Sequence, residues 1–187
     1  MTSSVSICSN ALLALGGHPI NDLSEATEHA RLCANIYPTL RNNLLRAHPW
    51  NCAVKRVVLS PTTTTPIFGF SQQFTLPSDL LRLLSVGEVA DDIDYQLEGN
   101  RLLANINMLK VRYIFRNEDE STWDAALIQV AEAMMQARLA YAVTGSTSLR
   151  DSLTQEANYL LRQVKSIDGQ EQPSEIIDGF PTFESRF

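Results

Sequence analysis

The sequence has few cysteines and no long run of apolar residues. Its three cysteines, Cys8, Cys33 and Cys52, have no paired CxxC spacing, which predicts small buried side chains in a reducing compartment and not a disulfide framework. No apolar run approaches the ~20 residues of a membrane span, and the first residues lack the basic and apolar regions of a signal peptide. We therefore expect a protein that is made in the cytosol and has no membrane partner.

The chain also has fewer basic residues than acidic residues. The chain has 15 Lys and Arg residues against 21 Asp and Glu residues, for a formal net charge of −6. A protein that reads a nucleic-acid sequence needs a basic face to neutralise phosphates, so this balance disfavours that class. The acidic balance does not exclude a protein that nucleic acid passes without being recognised. A length of 187 residues with 44% hydrophobic content predicts one well-buried core, alone or with a small satellite core.

The sequence lacks the motifs of common catalytic and nucleotide-binding sites. It contains no glycine-rich phosphate loop, GxSxG motif or dinucleotide fingerprint. His18, His29 and His48 are far apart in the chain, without the HxxxH or paired-carboxylate spacing of a metal site. The acidic run at 88–94 lacks the alternating pattern of a calcium loop and predicts a solvated loop or a contact with a neighbouring subunit. We expect no catalytic residue, cofactor or metal; the alternative is a small metal-dependent enzyme or regulator using His18, His29 and Cys33.

Two helices are predicted before the middle of the chain. Apolar residues at helical spacing place the first within 3–16. Ser24 is the predicted N-cap of the second, a long amphipathic helix. Pro38 lies inside this helix and is expected to kink it without breaking it. Pro49 disfavours helical backbone in the residue before it, so the helix should end by His48.

Two more helices are predicted after the middle. Thr122 is the predicted N-cap of an Ala-rich helix over 123–144, which Gly145 should end. Its composition predicts close contact with other helices on more than one side. The final helix should end at Gly169.

Between the two helix pairs, alternating apolar residues predict an antiparallel region of five or six strands. The predicted strands cover 53–59, 68–74, 82–86, 95–98, 101–104 and 109–115, with a hairpin turn at Gly99-Asn100. Helices and strands that are segregated along the chain indicate an α+β fold. We predict a helical bundle from 1–49 and 117–168, an inserted β subdomain over 50–116, and an extended tail over 169–187.

The helical and strand-like parts meet at Leu44–Ala53. Within this stretch, Pro49 and Trp50 are predicted to form a structural joint between the bundle and the β subdomain. The large indole ring should be buried where the two kinds of structure meet.

The predicted tail is rich in large apolar residues, although its prolines and glycine disfavour regular structure. These residues are Ile176, Ile177, Phe180, Phe183 and Phe187. A segment of this kind cannot build its own core. It can fold back over the bundle or dock into another protein, and the sequence leaves both open.

Several short motifs, taken in their order and spacing over roughly residues 5–145, resemble one known family. They are Cys8-Ser9-Asn10-Ala11-Leu12 with Leu15-Gly16, Leu44-Leu45 with His48-Pro49-Trp50-Asn51 and Ala53, Leu76-Pro77 with Asp79 and Arg82, Ala125-Ala126-Leu127, and Ala142-Val143-Thr144-Gly145. With them the chain resembles the tail tubular protein A family, the head-to-tail adaptors of short-tailed bacteriophages.

The resemblance implies a structural virion protein without catalytic activity, located at the head-tail junction and assembled in the host cytoplasm. It implies a homo-oligomeric ring, a dodecamer, that binds the portal protein on one side and the tail nozzle or tube on the other. Double-stranded DNA would pass through the centre without specific recognition, which suits an acidic protein because like charges repel. The five apolar tail residues would then be candidates for docking on the portal. A non-virion assembly factor is an alternative.

Overall fold

The computed structural model describes residues 2–88 and 91–171 and has the predicted α+β fold. Four helices flank an inserted β subdomain of two three-stranded antiparallel sheets. The helices are α1 (Ser4–Ala14), α2 (Glu28–Arg46), α3 (Ala125–Thr144) and α4 (Thr147–Glu171), and short 3-10 turns lie at Asn51–Ala53 and Glu120–Thr122. The strands are β1 (Val54–Leu59), β2 (Gln72–Thr75), β3 (Leu80–Val86), β4 (Tyr95–Glu98), β5 (Arg101–Ala104) and β6 (Leu109–Phe115).

Two helices begin later than the sequence predicted. The N-cap of α2 is Thr27, whose hydroxyl accepts the Ala30 N–H at 3.2 Å, while Ser24 lies in the preceding turn. The N-cap of α3 is Asp124 and not Thr122. Both segments contain several side chains that are able to cap a helix, and the sequence pattern alone did not select the right one.

The predicted helix ends are confirmed in α3 and wrong in α4. Gly145 ends α3 in the left-handed conformation, with φ of +70°. Gly169 does not take a positive φ, and α4 continues through it to Glu171. A glycine within a helix costs only about 1 kcal/mol, so the residue alone does not stop one. Pro38 lies within α2, which continues on both sides of it as predicted.

Both sheets are antiparallel, and the β3–β6 pair contains two register shifts. The first sheet has the order β1-β6-β3 and the second the order β2-β5-β4, with the predicted hairpin between β4 and β5. The strand predicted over 68–74 is wrong in its first half, because β2 begins only at Gln72. Gly69 takes φ of +86°, a left-handed conformation that interrupts an extended strand.

Two apolar cores meet at β6. Ile114 faces the bundle core, which also contains Tyr37, Leu44, Trp50 and Met135. Leu109, Val111 and Tyr113 belong instead to a core between the sheets, together with Phe74 and Leu102. Successive side chains of a strand point to opposite faces, and β6 thereby serves both cores.

The Ala-rich helix α3 is the centre of the bundle. It contacts α1, α2 and α4, which confirms the expected packing on more than one side. Its alanines Ala131, Ala137 and Ala140 are buried within the single chain. Small side chains allow the helices to approach closely. These three alanines are therefore buried against other elements of the same chain.

Candidate interaction surfaces

Trp50 lies at the predicted joint and is buried there. Its side chain is 1% exposed. The indole Nε1 donates a hydrogen bond to the Leu44 carbonyl at 2.9 Å, and the ring meets the His48 ring edge-on with a centroid distance of 4.7 Å. After Pro49 the chain passes through the turn at Asn51–Ala53 directly into β1. The ring thus ties the end of α2 to the first residues of the β subdomain.

The last turns of α4 are fastened to the same joint by Asp168. Its Oδ2 lies 2.9 Å from His48 Nε2, and its Oδ1 accepts the Asn51 N–H at 3.5 Å. An acidic side chain near the C-terminal end of a helix is unfavourable with the helix dipole, and these two contacts offset that cost. The chain therefore leaves α4 beside the start of β1.

A cavity of about 360 Å³ lies next to this contact. Trp50, Trp123, Leu127 and Val164 line its apolar part, and Asp168 is among its polar residues. The Trp123 Nε1–H is buried without a hydrogen-bond partner among the described residues. The cavity is small, and Asp168 lies at its edge. It is therefore better suited to water, or to a small group that accepts the Trp123 N–H, than to an acidic segment of chain.

The segment between β6 and α3 is fixed to α2 by two polar contacts. The buried Tyr37 hydroxyl donates to Glu120 Oε1 at 2.8 Å, and Arg41 pairs with Glu118 at 2.6 Å. Burial, together with the Glu120 carboxylate, raises the pKa of Tyr37 above its ordinary value. The two contacts hold the segment between β6 and α3 against α2, and Tyr37 itself belongs to the bundle core.

The residues of the metal-site alternative are not brought together. Cys33 is fully buried in the bundle core beside Cys8, and both thiols are free. The contact between the two thiols, together with burial, raises the pKa of Cys8, and the same contact lowers the pKa of Cys33. Both side chains are fully buried, whereas a reactive or metal-binding thiolate needs to be accessible. Within 2–88 and 91–171, no three or more His, Cys, Asp or Glu side chains form a group able to hold a metal ion.

The most exposed large apolar side chains lie in the loop between β1 and β2. Ile67 is 98% exposed and Phe68 is 85% exposed. We call these two residues the apolar tip. The sequence did not predict this surface, because its alternating pattern placed Phe68 in a strand. Adjacent apolar side chains that are left in water at the end of a loop are typical of a protein-binding site.

A second surface lies on the bundle-side face of the first sheet, beyond the end of the bundle. It is a groove of about 1030 Å³. We call it the arginine groove. Its lining includes Arg56, Val58, Leu84, Lys110 and Arg112, together with the acidic residues Glu88 and Asp91. Arg56 of β1 lies directly opposite Arg112 of β6. Lys110 and Arg112 are two residues apart in β6 and therefore share a face, whereas Arg56 joins them only through the strand register.

The five apolar residues predicted for partner binding, at 176, 177, 180, 183 and 187, lie outside the described residues. Their role stays a prediction. The extended tail does not begin at 169 as predicted, because α4 continues to Glu171. No helix in the described part of the chain combines the length and apolar character needed to cross a membrane. No protein-family model matches the chain, and no curated protein matches it.

Proposed function

We propose that the protein is a head-to-tail adaptor of a bacteriophage virion, arranged as a ring between the portal and the tail nozzle or tube. The observation that carries the proposal is the apolar tip on the β subdomain, set apart from the bundle and joined to it by a buried tryptophan. An adaptor needs two separate partner surfaces at a fixed mutual orientation. The order and spacing of the short motifs over residues 5–145 support the same class.

The joint gives this arrangement its rigidity. Trp50 belongs to the bundle core, and β6 contributes to both cores. A load on the β subdomain would therefore be transmitted to the bundle through packed side chains and not through a free linker. Such stiffness suits a component that must hold two partners in register.

The charges suit passage of DNA through the ring. The net charge of −6 repels phosphates, and a repelling channel does not retain the genome. A heterologous contact that closes on itself generates a ring. In this proposal the apolar tip faces the nozzle, and residues 176, 177, 180, 183 and 187 supply the contact with the portal.

The direct test is assembly on the portal. The purified chain, mixed with the portal protein of the same genome and imaged by electron microscopy, should form a ring of twelve copies on one face of the portal. A chain that stays off the portal at every salt concentration would overturn the proposal. Peptides of the chain in purified virions should separate this role from that of an assembly factor.

Removing residues 172–187 should abolish portal binding. The segment carries the five apolar residues assigned to this contact, and their burial would supply most of the affinity. Binding is measured by co-sedimentation with the portal, and circular dichroism should stay that of the full chain. The matched control is I67S/F68S, which removes the apolar tip and should leave portal binding unchanged. Portal binding by the truncated chain would contradict the assignment.

A further inference from the structure

We infer that the edge strand β4 of one copy of the chain docks in the groove between α2, α3 and α4 of a second copy. The docking part, which we call the β4 edge, consists of Asp92, Asp94, Tyr95 and Leu97. The inference rests on the proposed function in one respect, because it names the contact between copies that the proposed ring requires. It also decides between the two interpretations of the acidic run at 88–94, a solvated loop or a contact with a neighbouring subunit.

The first argument is that β4 carries apolar side chains on the inner face of its sheet that the core does not cover. Tyr95 and Leu97 lie directly opposite Ala104 and Leu102 of β5, and opposite residues of an antiparallel pair share a face. Ala104 and Leu102 are fully buried in the core between the sheets, whereas Tyr95 is 42% exposed and Leu97 is 49% exposed. Because β4 is also at the edge of its sheet, its inner face is open to contact by another chain.

The second argument is the shape of the groove, which we call the helix groove. It has a volume of about 610 Å³, within the range of pockets that enclose a drug-sized molecule. The apolar part of its lining comes from all three helices: Leu40, Leu44, Met134, Tyr141 and Leu161. Tyr141 is 55% exposed. The groove can therefore receive the side chains of Tyr95 and Leu97 and bury apolar surface on both chains.

The third argument is the charge of the helix groove. Its lining includes Arg138 and Arg150 and no acidic residue. The Arg138 side chain is exposed and has no hydrogen-bond or ion-pair partner among the described residues. Arg150 pairs with the adjacent Asp151 at 2.8 Å, but an exposed pair of this kind contributes little, so a carboxylate from another chain can replace it. The groove is therefore cationic.

The fourth argument is the opposite charge of the β4 edge. Residues 88–98 include five acidic residues and no basic residue. Glu88 is paired with Lys110, and Glu98 lies opposite Arg101. Asp92 and Asp94, in contrast, are exposed, and their side chains have no partner within 2–88 and 91–171. The free carboxylates thus adjoin the uncovered apolar side chains, and together they complement the helix groove.

The contact joins two copies, because the first sheet separates the β4 edge from the helices of its own chain. Ile114 of β6 faces the bundle, whereas Val111 and Tyr113 face the second sheet. The apolar tip is a poorer occupant of the helix groove, since residues 60–71 contain no charged side chain that could meet the arginines. A contact between two different surfaces of identical chains is heterologous, and it closes into a ring if the rotation allows.

Site-specific photocrosslinking of the full chain tests the inference. A benzoylphenylalanine replaces Tyr95, and a matched probe replaces Phe68, which is also an exposed aromatic residue of the β subdomain. The chains are irradiated in concentrated solution, because a net charge of −6 on each copy opposes association in dilute solution, and again after mixing with the portal protein. Mass spectrometry should find the Tyr95 probe joined to peptides of the helix groove and the Phe68 probe joined to none of them. Absence of the Tyr95 product under both conditions, or equal yields from the two probes, would overturn the inference.

An equal mixture of heavy- and light-isotope chains identifies the partner. The Tyr95 product should include molecules that join a heavy peptide to a light one. Products that always join peptides of one isotope would place the β4 edge in the groove of its own chain. Attachment to the portal protein alone would assign the β4 edge to that partner. Either of these results would overturn docking between copies.

Charge reversal tests the pairing of the two surfaces. R138E should lower the yield of the Tyr95 product by about two- to fivefold, the range expected for one surface charge pair, and D94R in the same chain should restore it. R31E is the matched control, because it makes the same change of charge on α2 outside the groove, and it should leave the yield unchanged. Equal losses from R31E and R138E would show that only net charge matters and would contradict the pairing.

The outcomes separate this contact from the proposed function. A ring on the portal that gives no Tyr95 product would overturn the contact and leave the adaptor proposal intact. Isolated chains that give the product and never bind the portal would support the contact and count against the adaptor.

Discussion

Replacing Trp50 with alanine should lower the free energy of unfolding by about 3–5 kcal/mol, the usual cost of removing a large buried side chain. The ring is 1% exposed and is packed in the bundle core. The substitution also leaves the Leu44 carbonyl without its indole donor. Chemical denaturation, followed by circular dichroism, measures the change.

Trp50→Phe is the matched control, because it keeps an aromatic ring and removes only the N–H donor and part of the volume. Its expected cost is smaller, with about 0.5–1.5 kcal/mol from the lost hydrogen bond and a further contribution from the reduced packing. A cost under about 1 kcal/mol for Trp50→Ala is typical of surface positions. That result would show that the Trp50 ring does not anchor the joint between α2 and the β subdomain.

Phe74→Ala is the second large effect, with an expected cost of about 3–5 kcal/mol. Phe74 is fully buried in the core between the sheets. It lies on a four-residue strand, opposite Leu102 of β5, so few other contacts hold that strand in place. Hydrogen exchange should show lost protection first in β2 and β5, while the amides of α2 and α3 keep theirs.

Phe68→Ala provides the comparison with the same residue type. Phe68 is 85% exposed, and its removal should change stability by less than about 0.5 kcal/mol. If Phe74→Ala removes protection equally from the sheets and the helices, the two cores unfold as one unit. The local loss that we expect would then be wrong.

The large-scale architecture was predictable from periodicity, and the details decided by competing local contacts were not. Apolar residues at helical and alternating spacing predicted the order of helices and strands. The N-cap of α2 was missed because Ser24 and Thr27 are both suitable. The first half of the strand at 68–74 was missed because a glycine at 69 permits a conformation that alternation does not reveal.

The candidate surfaces were less predictable than the fold, because they depend on register and exposure. Arg56 and Arg112 are distant in the sequence and meet only through the pairing of β1 with β6. Ile67 and Phe68 look like strand residues by composition, and only their position in a loop makes them a surface. The burial of Trp50 was predictable from the sequence, because its large apolar ring lies where the helical part of the chain changes to the strand-like part.

The shared strand β6 has a consequence for how this protein can change over generations. A single inserted or deleted residue within β6 would move every later side chain of the strand to the opposite face. Tyr113 and Ile114 would then exchange places between the two cores. Both cores would be damaged by one event. Mutational drift in β6 is therefore restricted to substitutions of similar size, whereas the loop that carries the apolar tip is free to vary in length. Sequence differences among relatives should accumulate in that loop, where changes can create contacts with a new partner without altering either apolar core.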